Sequence, residues 1–127
     1  MVPKVKSIMT EKICQMGPAV TVQMAAKIMA DMRIGSLLVE RESAIIGIVT
    51  ETDFTRKVLA QGIDPSKTKI EQVMSAPVFT IDAEESLVTA NQMMEKKNVR
   101  HLVVTEEGKT VGILSVRDLL HPIPVGG

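Results

Sequence analysis

The chain repeats itself: slid by 65 positions, its two halves align without a gap, and few folds accommodate such a register. Met9-Thr10 falls on Met74-Ser75, Ala25 on Ala90 and Met29 on Met94. Leu37-Leu38-Val39 falls on Leu102-Val103-Val104, and GIVTETD (47–53) on GILSVRD (112–118). The first copy spans residues 5–59 and the second 70–122, with a Gly-, Pro- and polar-rich linker at 60–69 and a tail at 123–127. A copy of this size is marginal alone, because a small sheet covered on one face leaves the other wet. Two copies in one compact module remove that problem.

Each copy predicts the order β-α-β-β-α. Short apolar runs at 13–16 and 78–81 read as strands. A helix follows in each, since Val22, Ala25, Ala26, Met29 and Met32, and likewise Leu87, Ala90, Met93 and Met94, recur at helical spacing. Thr21 and Ser86 stand where an N-cap hydroxyl belongs. Two β-rich runs joined by a charged turn predict a hairpin in each copy. A last helix covers 51–59, and its counterpart from 116 is cut short by His121-Pro122. The fold class is α/β (α+β). The nine methionines read as core filling, several of them on the two long helices.

Composition narrows the function. Fifteen basic residues balance fifteen acidic ones, and the aromatic residues are only Phe54 and Phe79. Nothing here draws the chain to a phosphate backbone or stacks single-stranded bases, so nucleic acid is not an expected partner. The single cysteine, Cys14, forms no intrachain disulfide and no Cys-rich zinc site. No apolar run approaches a membrane span, and a cytoplasmic protein is expected. There is no Walker loop, GxGxxG or HExxH, and neither His101 nor His121 belongs to a recognisable nucleophile constellation, so no enzyme is expected.

The repeated motif carries the chemistry. Thr50 and Asp53, and Ser115 and Asp118, have the spacing of a capping box, in which hydroxyl and carboxylate satisfy free amides at a helix start. The same groups suit a nucleotide, the hydroxyl and amides for phosphate and the carboxylate for ribose. Both readings stand on the motif alone. The copies differ just before the hairpin, where Arg100-His101 in the second replaces Gly35-Ser36 in the first.

The doubled pattern, with IMT and VMS at the repeat starts, IGSLLV and VRHLVV leading into the hairpins, and GIVTETD and GILSVRD at the ends, resembles a pair of cystathionine-β-synthase (CBS) domains, a Bateman module. The resemblance implies two repeats packed with pseudo-twofold symmetry and two clefts for adenosine-containing ligands. It implies a first cleft formed by Arg100, His101, Ile113, Ser115 and Asp118, closed by Thr10, Ile13, Cys14, Ile34, Gly35 and Ser36. In it Asp118 would hold ribose, and Ser115 with Arg100 or His101 the phosphate. A second cleft would use Ile48, Thr50 and Asp53 with Ser75, Val78, Phe79 and Val99, and could also draw on Arg100 and His101. The first is favoured, because its own copy supplies the cationic pair.

The expected function is a non-catalytic sensor of AMP, ADP or ATP, with S-adenosylmethionine or NAD as other ligands, no required cofactor, a homodimeric state and an effector protein not identifiable from the sequence. Affinity would be micromolar, about 8 kcal/mol. The competing reading is a dimerisation or protein-interaction module in which both motifs only cap helices.

Overall fold

The computed structural model describes residues 2–120; the helix stop at His121-Pro122 and the 123–127 tail lie outside them. Two compact units emerge, and their boundary is not that of the sequence repeat. One is Ile13–Val78; the other joins the stretch through Lys12 to the stretch from Phe79 onward.

In the Ile13–Val78 unit, a three-stranded sheet has β1 (Gln15–Met16) parallel to β2 (Ser36–Arg41), which pairs antiparallel with β3 (Ala44–Thr50). Helix α1 (Val22–Met32) packs Val22, Ala25 and Met29 against Leu37 and Val39 of β2 and Val49 of β3. Thr21 caps it, its hydroxyl accepting from the Met24 amide at 3.2 Å. At its other end Arg33 turns left-handed at φ 58°, and the Ile34 amide closes on the Met29 carbonyl.

The second unit has the same construction. Its sheet consists of β4 (Thr80–Asp82), β5 (His101–Glu106) and β6 (Lys109–Ser115), with α3 (Leu87–Lys97) packing Leu87, Ala90 and Met94 on it. Ser86 caps α3 from the Thr89 amide at 3.1 Å, and Asn98 ends it at φ 53°. The sheets even share an irregularity, a register shift between Val39 and Glu40 and another between Val104 and Thr105.

One expected helix is wound differently. After a single α turn, α2 (Glu51–Asp53), the chain continues as a π-helix over Phe54–Leu59, its wider turns closed by bonds such as Ala60 amide to Thr55 carbonyl. Phe54 and Val58 still reach the core. The matching α4 (Val116–Leu120) is α-helical.

The repeats exchange their leading segments. The 3-10 turn Val5–Ser7 opens the first repeat in sequence, yet Val5 is buried in the core formed by α3, β5 and β6. The corresponding turn Ile70–Gln72 puts Ile70 into the core of the first sheet. Val5 donates to the Glu85 carbonyl just before α3, and Ile70 to the Val20 carbonyl just before α1, both at 2.8 Å. The 60–69 segment also packs rather than merely linking: Val22 donates to the Thr68 carbonyl and Gln23 to that of Pro65.

Candidate functional site

Both motifs form as capping boxes. At β6–α4, the Ser115 amide donates to Asp118 Oδ2 at 2.8 Å and the Asp118 amide to Ser115 Oγ at 3.3 Å. At β3–α2, Thr50 and Asp53 reproduce those bonds at 2.9 and 3.3 Å, and the Thr50 hydroxyl also lies 3.2 Å from Asp53 Oδ2. The strand supplies an extended N-cap, and the acid at the third helical position turns back to it.

Each motif is completed by the other repeat's leading segment. Thr10 and Ile113 bridge antiparallel, as do Ser75 and Ile48. The glycine that opens each motif makes room for this. A Cβ on Gly112 would lie 2.8 Å from both Met9 Sδ and the Thr10 carbonyl oxygen, and one on Gly47 would lie 2.3 Å from Met74 Sδ.

The unit containing α3 therefore brings together Thr10, Arg100, His101, Ile113, Ser115 and Asp118 from the first predicted cleft. His101 is the register partner of Ser115, and the Val116 amide donates to the Arg100 carbonyl at 2.9 Å. Arg100 is exposed, Ser115 and Asp118 are half-buried, and Ile113 is buried. Ile13, Cys14, Ile34, Gly35 and Ser36 belong to the Ile13–Val78 unit. There Cys14 is half-buried and its carbonyl accepts from Leu38. That unit also brings Ile48, Thr50, Asp53, Ser75 and Val78 of the second predicted cleft together, whereas Phe79 and Val99 lie in the other one, with Lys97 Nζ 5.2 Å from the centre of the Phe79 ring.

The two acids differ in their surroundings. Asp53 is 7% exposed, and Lys57 Nζ lies 3.0 Å from its Oδ1 while donating to the Val73 carbonyl at 2.8 Å. Among the described residues Asp118 has no such cation. The start of α2 carries another charge that sequence reasoning missed. The Glu51 amide donates to the Gly35 carbonyl, and a Cβ on Gly35 would lie 3.6 Å from the Glu51 carboxyl carbon. The i,i+4 spacing of Asp53 and Lys57 could have revealed the ion pair; nothing local marks Val73 as the lysine's second partner.

Among the described residues no three His, Cys, Asp or Glu side chains gather as metal ligands, and no helix is long and apolar enough to cross a membrane.

Twin three-stranded sheets, each ending in a hydroxyl–carboxylate helix start completed by the other repeat's leading segment, define a tandem-repeat α/β module. The CBS domain profile matches residues 5–60 and again 70–124, and the chain belongs to the CBS domain family. It is 30% identical over 115 residues to the CBS domain-containing protein YhcV of Bacillus subtilis, covering 91% of this chain and 81% of that one. In several longer relatives the matched stretch is about half of the protein or less. The hexameric CBS-CP12 protein from bloom-forming cyanobacteria superposes with a TM-score of 0.85 at 30% identity, over 95% of this chain and 72% of the other. The CBS domain pair of MJ0100, solved in complex with 5′-methylthioadenosine and S-adenosyl-L-methionine, gives 0.78 at 27% identity over 96% of each chain.

Proposed function

We propose that this CBS pair is a non-catalytic regulatory module that binds an adenosine-containing ligand of the AMP, ADP or ATP class, with the second repeat's motif as its polar anchor. The observation that carries the reading is the group at the end of β6. Asp118 is half-buried and without a lysine or arginine partner among the described residues, Ser115 stands beside it, and Arg100 is exposed at the adjoining strand end. Asp118 holds the ribose hydroxyls, Ser115 and Arg100 the phosphate, with His101 next to them, and Ile113 offers apolar surface to the base. The MJ0100 pair, whose ligands are both adenosine derivatives, supports that class and keeps S-adenosylmethionine among the candidates.

The chain acts as a homodimer on an effector protein. A ligand with unequal affinity for two arrangements of the dimer shifts their populations, which is all that sensing requires. Titration calorimetry with AMP, ADP, ATP, S-adenosylmethionine and NAD is the test, with dissociation constants in the micromolar range expected; no heat with any of them ends the proposal. A module without ligand is favoured by one observation, the completeness of both capping boxes. Asp118→Ala separates the two. A pure cap costs about 1 kcal/mol of stability, whereas a ribose ligand loses nucleotide affinity well beyond any change in melting of the empty protein.

A further inference from the structure

We propose that Lys57 and Glu51 close the first repeat's motif to nucleotides, so that one chain takes one adenine nucleotide, at the second repeat's motif. The inference rests on the nucleotide reading for its ligand, but on separate observations for its asymmetry.

A nucleotide needs two things from such a motif, a carboxylate with an accepting oxygen for ribose and an electropositive place for phosphate. The first repeat withholds both. Asp53 is buried, its Oδ2 accepts from the Thr50 amide, and its Oδ1 is paired with Lys57. The lysine is itself anchored on the Val73 carbonyl, so it fastens the Ile70 turn to the start of α2. Ribose hydroxyls would have to displace a charge-assisted contact held by two acceptors. At the other end the Glu51 carboxylate stands over Gly35, and an anion there repels phosphate.

In the second repeat Asp118 keeps the cap bond from the Ser115 amide, but the charges around it differ. The position of Lys57 is held by Pro122, which has no cation to offer, that of Glu51 by Val116, and that of Gly35 by Arg100. The same backbone bond is kept in both, Glu51 amide to Gly35 carbonyl and Val116 amide to Arg100 carbonyl. The backbone bond that opens the helix is therefore the same in both repeats, while the charges beside it differ.

The test is the number of AMP molecules bound per chain, measured by calorimetry at saturating AMP on the full chain and on the double variant Glu51→Val with Lys57→Met. The expected result is one AMP for the wild type and a second, weaker one for the double variant, which Asp53→Ala added to the pair removes. Two AMP on the wild type, or the same number on wild type and double variant, overturns the inference. No AMP on the wild type instead overturns the nucleotide reading at Asp118, and the difference between variant and wild type still decides the role of Lys57 and Glu51. Melting curves verify folding; if Lys57→Met does not fold, Lys57→Gln, which keeps a donor for Val73, replaces it.

Discussion

Thr10 and Ile113 exchange two backbone hydrogen bonds, 2.9 Å from the Thr10 amide and 3.0 Å from that of Ile113, although they come from opposite ends of the chain. Ser75 and Ile48 do the same at 2.8 and 3.0 Å. Each repeat's leading segment thus serves the other repeat's last strand.

That exchange makes the N-terminal segment part of a core. Val5 is fully buried among residues of the second sheet's unit. Val5→Ala is expected to lower stability by about 2 kcal/mol, from two lost methyl-sized groups and the cavity they leave. Urea titration checks it. Val2→Ala, at a position 52% exposed, is the control, and equal losses from the two would contradict the burial argument.

The two motif glycines are expected to respond differently to alanine. At Gly112 the added carbon meets the Thr10 backbone oxygen as well as Met9, and a strand cannot yield as a side chain can. At Gly47 the three nearest atoms all belong to the Met74 side chain. Gly112→Ala should cost more than Gly47→Ala, each within about 1–3 kcal/mol. Truncating Met74 to Ala in the Gly47→Ala protein should recover part of its loss, and truncating Met9 in Gly112→Ala should recover less. Thermal melting of the five proteins settles the order.

Glu84 predicts a pH dependence. Hydrogen bonds from Lys4 and Lys6 hold its carboxyl down at about 2, against an ordinary 4.5. A depressed carboxylate contributes stability above its unfolded value and loses it as pH falls toward the folded one. The melting difference between wild type and Glu84→Gln should therefore be full at neutral pH and shrink between about pH 4.5 and 2. The three side chains are exposed, so added salt should shrink the difference too. A difference that stays constant over that range would exclude the clasp.

Both hairpin turns place a glutamate at positive φ, Glu42 and Glu107 at 50° and 51°, but the next residue is a serine in the first and a glycine, Gly108, in the second. Glu42 and Ser43 both have positive φ, 50° and 68°, in a two-residue turn whose counterpart is Glu107-Gly108. Ser43→Gly should stabilise by about 1 kcal/mol, since glycine adopts that conformation without a Cβ penalty. Gly108→Ser should destabilise by a similar amount. Melting temperatures moving the opposite way would refute the turn assignment.

The repeat, the hairpins, both helix caps and both capping boxes were legible because each depends on residues only a few positions apart, or on one pattern written twice. Thr21, Ser86, Thr50 and Ser115 each accept from the amide three residues on, so spacing alone foretold them. The π-helical winding after Asp53 was not foretold, because apolar spacing over so short a stretch fits more than one helix. Nor could pattern reveal that Val5 belongs with α3 and Ile70 with α1. Those segments are apolar enough to be buried, but which sheet buries them depends on where the chain's long-range hydrogen bonds close. The same holds at the candidate site. The sequence by itself determined a doubled hydroxyl–carboxylate helix start and the Arg100-for-Gly35 difference. Only the tertiary structure set Lys57 between Asp53 and the Val73 carbonyl and Glu51 over Gly35, because contacts across loops follow from packing rather than from local spacing.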